Sequence, residues 1–224
     1  YADKKEQLES ALEIDYSDFN EDWSPSTIEI LLHIISSVCW GNWESMASKM
    51  PFLVSPGTTK QAAYLLLDSM LKSTDREYKI AATFKSKFES ELDAKSSKIL
   101  LDNINEFMRS YASNDNNDLN CRLDRIEDMM VVTMVLARSN VNNLPHEIYI
   151  PKNFYDSIPG PEWTEANDRE MLYMVYSNGY NEFSTNALTH GSFASLSCRF
   201  HALIQAYIPE IPSITGCVSQ PASS

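Results

Sequence analysis

Residues 23–43 read WSPSTIEILLHIISSVCWGNW, and residues 163–183 read WTEANDREMLYMVYSNGYNEF. The second stretch begins 140 positions after the first (163 − 23), and the two align without a gap. Each begins with tryptophan, followed by a hydroxyl residue that can cap a helix. Each then carries apolar residues at matching positions, a break that contains glycine and a final aromatic residue. The alignment predicts that one helical unit occurs twice in this chain.

The first unit is predicted to cover residues 23–72. Ser24 can cap its first helix, and Pro25 suits the first helical position because no N–H donor is needed there. The apolar residues of this helix recur at the i, i+3, i+4, i+7 spacing of one helix face. A short second helix follows the break, and Thr58 or Thr59 is expected to cap a third. The apolar residues on the first helix face are Ile28, Leu31, Leu32 and Ile35.

The second unit is predicted to cover residues 163–209. Thr164 takes the place of Ser24, and four apolar residues match four in the first unit. A third helix is predicted over Phe193–Tyr207, because its apolar residues again form one stripe and Pro209 ends it. The matching residues are Met171, Leu172, Met174 and Val175, opposite Leu31, Leu32, Ile34 and Ile35.

The rest of the chain divides by composition. Residues 73–143 contain no proline and are predicted to form long spacer helices around a polar loop at 113–118. Residues 144–162 contain four prolines and are predicted to form an extended linker. Residues 1–22 are an acidic N-terminal segment, and residues 210–224 are a flexible tail. The predicted fold class is all-α, with two three-helix units joined by long spacer helices.

Several classes of function are disfavoured by the sequence. The four cysteines stand far apart and form no CxxC or Cys/His pair, so we predict neither a metal site nor disulfides, and a reducing compartment fits. No apolar run approaches the roughly 18–20 residues of a membrane span. Catalytic and phosphate-binding motifs are not found, so we predict a non-catalytic chain without a cofactor. Because it opens at Tyr1 with no signal-like stretch, we interpret it as an excerpt of a longer protein.

Four short motifs carry a resemblance to a known family. They are CRLDRI at 121–126, EWTEANDREML at 162–172, SNGY at 177–180 and LSCRFHALI at 196–204. They are similar to a spacer helix and to the start, turn and last helix of a SLIDE domain. The order of tryptophan, apolar helix, glycine-aromatic break and later helix resembles the Myb-like SANT fold. The pair of units, over residues 22–209, resembles the SANT–SLIDE tandem of ISWI and CHD chromatin-remodelling ATPases.

This resemblance implies a function outside catalysis. In that family the tandem engages DNA beside the nucleosome, and sometimes histone or partner surfaces, and helps the ATPase to place nucleosomes. It therefore implies a nuclear accessory module that contacts nucleosomal or linker DNA, with histone tails or a subunit of the remodelling complex as further partners. It also implies that Arg199 contacts phosphate. The crowded cations of residues 72–98 supply the other candidates, because lysine and arginine displace counterions from phosphates. The predicted DNA-binding residues are Lys72, Arg76, Lys79, Lys85, Lys87, Lys95, Lys98 and Arg199.

The charge of the chain supports a second hypothesis. Asp and Glu number 31 against 18 Lys and Arg, which gives a formal net charge of −13. Proteins that follow phosphate backbones usually carry a basic footprint. The alternative is therefore an acidic scaffold that docks a partner subunit or a histone tail without binding DNA.

The aromatic residues at the repeated positions are interpreted as core anchors. A stacking platform for bases would use the same residue types, but their helical register favours packing in the core. The histidines His33 and His201 lie on or beside apolar stripes and are interpreted in the same way, so no metal ligand is predicted. The predicted core anchors are Trp23, Trp43, Trp163, Tyr180, Phe183 and Phe200.

Overall fold

The computed structural model describes residues 23–89, 98–114, 116–138, 147–151, 154, 163–180 and 192–211. These residues form eight α-helices, and no strand occurs among them. The predicted all-α class is confirmed. The helices are α1 (Pro25–Ile35), α2 (Trp43–Ser48), α3 (Pro56–Lys72), α4 (Lys79–Glu89), α5 (Lys98–Asn114), α6 (Asn116–Arg138), α7 (Glu165–Asn178) and α8 (Phe193–Tyr207), which a 3-10 turn, Ile208–Glu210, follows.

Serine side chains cap the helices that start after predicted breaks. The Ser24 hydroxyl accepts a hydrogen bond from a backbone N–H in the first turn of α1, at 3.3 Å. The Ser55 hydroxyl accepts one from the Thr58 N–H at the start of α3, at 3.1 Å. The prediction that Thr58 or Thr59 caps this helix is wrong. Pro56 already occupies the first helical position, and this places Ser55 at the cap.

The chain forms two compact units. Among the described residues, the first unit holds 23–36 together with those of Trp40–Glu127, and the second holds Ser37–Cys39 and those from Asp128 to residue 211. The boundary falls within α6, whereas the predicted division set the spacer apart from both units. The difference has a physical reason: α5 packs against α1 and α3, and α4 packs against α3. These spacer helices therefore belong to the core of the first unit.

Two tryptophans anchor the first unit. Trp23 and Trp40 are fully buried. The Trp40 Nε1–H donates to the Tyr64 hydroxyl at 3.3 Å, and the two rings meet edge to face at 5.2 Å. The side-chain amide of Asn103, on α5, donates to the Trp23 carbonyl oxygen at 2.9 Å. Because this carbonyl precedes α1, α5 fixes the point where the first helix begins.

In the second unit, Gly179 ends α7 with a φ of 100°. A Cβ atom at this position would lie 2.6 Å from the Ser37 carbonyl oxygen, to which the Tyr180 N–H donates at 2.8 Å. The Cys39 thiol lies 3.7 Å from the Val175 carbonyl oxygen, and burial raises its pKa to about 12. These contacts explain why residues 37–39 belong to the second unit.

The predicted loop at 113–118 is largely helical. Helix α5 runs to Asn114 and α6 begins at Asn116, and residue 115 lies outside the described residues. The Tyr111 hydroxyl donates to the Asp118 carboxylate across this junction. Burial, and then this hydrogen bond, raise the pKa of Tyr111 to about 12. The Tyr111–Asp118 hydrogen bond thus joins two helix ends, where a long loop was predicted. The acidic segment 1–22 lies outside the described residues, as do most of the linker 144–162 and the tail beyond 211.

Candidate functional site

Helix α6 fixes the start of α4, which carries part of the basic stretch predicted to contact DNA. The Glu127 Oε1 atom accepts hydrogen bonds from the Ile80 and Ala81 N–H groups, at 2.9 and 3.0 Å. These donors lie in the first turn of α4, where no helical carbonyl satisfies them. The Tyr78 hydroxyl donates to the Asn120 carbonyl oxygen at 3.2 Å. Glu127 therefore caps α4 from a neighbouring helix, and this cap fixes the direction of the lysines on α4.

Most of the predicted DNA-binding cations lie beside a carboxylate. Asp68 on α3 receives Lys72 and Lys85, each with an N···O distance of 2.6 Å. Lys87 and Lys98 are exposed, and Lys95 lies outside the described residues. Two looser pairs, each at 3.6 Å, join Arg76 to Asp124 and Lys79 to Glu77. To contact any of these four paired cations, a phosphate would have to compete with the carboxylate that already pairs with the cation. That carboxylate would stay close by and would repel the phosphate.

Asp68 is the centre of the tightest of these arrangements. Burial by itself would raise the pKa of its carboxyl group, but the hydrogen bonds and positive charges of Lys72 and Lys85 outweigh that effect. The pKa of Asp68 therefore lies below its usual range. The ionised carboxylate is the favoured form, and it pairs with two of the predicted phosphate contacts at once.

Arg199, the residue implied by the SLIDE resemblance, lies in the core of the second unit. It is 4 % exposed, and Asp168, its partner on α7, is 2 % exposed. The guanidinium Nε and Nη2 atoms donate to the two Asp168 carboxylate oxygens, at 2.9 and 2.6 Å. The Trp163 Nε1–H donates to Asp168 Oδ1 at 2.9 Å, and the guanidinium carbon lies 3.8 Å from the centre of the Phe154 ring. Arg199 joins α8 to α7, and a phosphate contact by this residue is not retained.

The repeated aromatic residues lie mostly inside the two units. Trp23, Trp163, Tyr180 and Phe200 are buried, and Trp43 is half-buried. The Trp43 ring lies 5.4 Å from the ring of the buried Trp40. Phe183 lies outside the described residues. The described members therefore do not form an open platform on which bases could stack.

Exposed carboxylates are the more available charges. Seven exposed acidic residues have no ion-pair partner among the residues that the structure describes, against three exposed basic residues. The acidic residues are Glu29, Glu44, Asp75, Asp102, Glu106, Glu147 and Glu170, and the basic residues are Lys49, Lys98 and Arg109. The described surface therefore offers more negative than positive groups to a partner.

A groove in the first unit escaped the sequence analysis. It lies beside the loop that joins α2 to α3, has a volume of about 490 Å³, and is lined mainly by apolar side chains. Leu53, in this loop, is 97 % exposed. The signal in the sequence was Pro51-Phe52-Leu53-Val54, a run with no charged residue placed between two helices.

A second cleft, of about 380 Å³, lies in the second unit beside the Asp168–Arg199 ion pair. Within the described part of the chain, no group of three or more His, Cys, Asp or Glu side chains is placed to hold a metal ion. His201 Nδ1 lies 3.4 Å from one Asp128 carboxylate oxygen. None of the described helices has the length and apolar character needed to cross a membrane.

Comparison with known proteins does not extend these observations. No family model, no curated protein and no solved structure matches this chain. The function is therefore inferred from the charges and surfaces described above.

Proposed function

We propose that this chain is a non-catalytic, acidic helical module that binds a lysine- and arginine-rich segment of another protein. The single observation that carries the proposal is that most of the candidate cations are paired with carboxylates, whereas many exposed carboxylates are not paired with cations. Five of the seven described DNA-binding candidates lie within 4 Å of a carboxylate, namely Lys72, Arg76, Lys79, Lys85 and Arg199. Seven exposed carboxylates have no such partner among the described residues. A basic partner would meet these carboxylates directly.

The energetics of nucleic-acid binding support the same preference. Non-specific affinity for DNA comes almost entirely from cations that release counterions at phosphates, and proteins with strong salt dependence make about six to ten such contacts. Here at least five of the seven described candidates already lie beside a carboxylate, so too few remain to make such a set of contacts. A net charge of −13 adds repulsion between the chain and a duplex.

The resemblance to the SANT–SLIDE tandem suggests where such a partner would be found. Histone tails are rich in lysine and arginine, and a subunit of a remodelling complex could present a similar segment. On this proposal the chain is an accessory part of a nuclear chromatin-remodelling protein, and it contacts histone or subunit surfaces. The family name and the nuclear location remain predictions from the sequence.

The test compares two ligands of opposite charge. The chain is titrated with a peptide of lysine, glycine and serine, and separately with a short DNA duplex, at about 50 and about 200 mM salt. We expect saturable binding of the peptide that weakens as salt rises, and much weaker binding of the duplex. Neutralising Asp102 and Glu106 together should weaken peptide binding, whereas neutralising Lys98 and Arg109 together is the matched control on the same helix. Binding of the duplex without binding of the peptide would overturn the proposal.

Contact with DNA is a second candidate, and one observation favours it. The exposed face of α4 carries Lys79 and Lys87 with the hydroxyl residues Thr83 and Ser86 between them, and no acidic residue occurs from 79 to 88. The Lys79 side chain is 78 % exposed. If this face binds phosphates, Lys87→Glu should lower duplex affinity and flatten its salt dependence, whereas Lys49→Glu, away from α4, should not.

A further inference from the structure

In the loop between α2 and α3, the side chain of one leucine, Leu53, is exposed to solvent, whereas neighbouring side chains pack against the first unit. Met50 and Val54 are buried on either side of it, and the Phe52 ring meets the buried Trp23 ring edge to face at 5.3 Å. Leu53 is 97 % exposed. A single exposed leucine needs no explanation by itself. Here, however, it stands on a loop fixed at both ends and forms one wall of a groove.

The groove is suited to a small apolar group. Its volume of about 490 Å³ lies in the range of about 300 to 1,000 Å³ that is typical of binding sites. Its walls include Ala47, Met50 and Val54, and Pro51 and Pro56 stand at the two ends of the loop. Because proline restricts the backbone, little ordering of the loop would accompany binding. The groove is therefore preformed.

The charge at the groove favours a basic partner segment over a second copy of this chain. Glu44 is the sole charged residue among the described residues that line the groove, and it is exposed, with no ion-pair partner in the described part of the chain. A second copy of this chain would bring another net charge of −13 to the same surface, and repulsion disfavours that occupant. A segment that places lysine or arginine beside an apolar side chain complements both the acidic rim and the apolar floor.

We propose that this groove docks a partner segment in which an apolar side chain packs against Leu53 and an adjacent lysine or arginine pairs with Glu44. This inference rests on the proposed function, because it assigns the basic partner to one site. It adds a requirement that charge alone does not impose, namely an apolar anchor. Such anchors, seated in a pocket and surrounded by polar contacts, carry much of the affinity at protein interfaces.

The experiment uses the whole chain and two peptides of equal length and charge. One contains only lysine, glycine and serine, and in the other a single central glycine is replaced by leucine. We expect the leucine peptide to bind about tenfold more tightly, because burial of one leucine side chain is worth about that factor or more. Leu53→Ala should remove this advantage, and Glu44→Gln should weaken both peptides several-fold. Ile99→Ala and Glu77→Gln are the matched controls, since Ile99 is 58 % exposed and Glu77 is an exposed carboxylate that pairs with Lys79 and is not one of the seven.

The outcomes separate the two proposals. Equal affinity for the two peptides, unchanged by Leu53→Ala, would overturn the groove assignment and leave the acidic module standing. Binding of neither peptide would overturn both. A leucine advantage that Ile99→Ala removes as strongly as Leu53→Ala would also overturn the assignment, because the apolar anchor would then lie elsewhere. Circular dichroism melts of the four variants check that each one folds.

Discussion

The two units that begin with tryptophan differ at two equivalent interior positions: the second unit has charged residues where the first has apolar ones. In the second unit Asp168 and Arg199 meet in the core, at 2 % and 4 % exposure, and form a hydrogen-bonded ion pair. In the first unit the corresponding residues are Ile28 and Ala62, and both are fully buried. One unit therefore joins its helices through a charged pair at the place where the other uses apolar packing.

The correspondence is set by the helix caps. Asp168 lies four residues after the cap Thr164, as Ile28 lies four residues after the cap Ser24. In the later helices, Arg199 lies seven residues after the cap Ser192, and Ala62 lies seven residues after the cap Ser55. Matching burial continues along these helices. Thr59, Ala63, Leu66, Leu67 and Met70 are buried in α3, and Leu196, Phe200, Leu203, Ile204 and Tyr207 are buried at the equivalent positions of α8.

This difference shows that a shared register does not fix the chemistry of a core. A buried ion pair loses hydration on both sides, so it is not inherently more stabilising than an apolar pair of similar volume. Its stability does, however, depend on both charged groups and their hydrogen bonds being present. Here the Trp163 indole and the Arg199 guanidinium supply three hydrogen bonds to the Asp168 carboxylate. The second unit should therefore be far more sensitive to loss of one partner than to replacement of both.

The largest expected effect comes from breaking the ion pair on one side. Arg199→Ala leaves the Asp168 carboxylate buried without its guanidinium, and should lower the free energy of unfolding by about 3–5 kcal/mol. The double change Asp168→Ile with Arg199→Ala installs the residues of the first unit and should recover much of that loss. Urea unfolding of the single and double variants measures both. A double variant as unstable as the sum of the two single changes would contradict the comparison.

A smaller effect is expected at the two glycines that have a positive φ, Gly41 in the connection between α1 and α2 and Gly179 at the end of α7. Gly41 and Gly179 both have φ near +100°, where a side chain is strained by about 1–2 kcal/mol. At Gly179 an added Cβ would also lie 2.6 Å from the Ser37 carbonyl oxygen, whereas Gly41 is exposed. Gly179→Ala should therefore lower the melting temperature clearly more than Gly41→Ala. Equal shifts in thermal melts would show that the contact with Ser37 adds nothing.

The smallest effect is expected at the ion pairs of α3. Asp68→Asn removes a partly exposed carboxylate from Lys72 and Lys85, and should cost about 1 kcal/mol or less at neutral pH. Because the pKa of Asp68 is lowered in the folded chain, its contribution is present above the ordinary Asp pKa of about 3.9 and is lost as pH falls through the folded value. The stabilities of the original chain and the variant should thus converge in acid. A constant difference down to pH 2, about two units below that ordinary value, would contradict this assignment.

Local features of the fold could be predicted from the sequence. The starts of α1 and α8, the all-α class and the repeated apolar stripe depend on residues within a few positions of one another. The burial of Arg199 could also have been predicted from the sequence, because Arg199 falls between Leu196 and Leu203 on the apolar stripe of α8. Asp168 likewise takes the position of Ile28 in the alignment. Two opposite charges at positions that are apolar in the other unit were a signal of a buried pair.

Other features could not be read from sequence in this way. Glu127 caps α4 by accepting from N–H groups that lie 47 and 46 positions before it in the chain. Nothing in the local sequence of α4 indicates that these N–H groups bind Glu127. The exposure of Leu53 depends on how its neighbours Met50 and Val54 are buried by the rest of the first unit. The grouping of the spacer helices with the first unit likewise follows from contacts between distant segments.

The sequence by itself determined the all-α class, the cap at Ser24, the repeated apolar pattern and the net negative charge, because each depends on local backbone preference or on composition. The tertiary structure alone decided which charges are paired or buried and which are exposed. Desolvation and pairing act over a few ångströms in space, whatever the separation along the chain. For that reason Arg199, a predicted phosphate contact, lies in the core, and Leu53, a residue of an ordinary loop, stands in solvent.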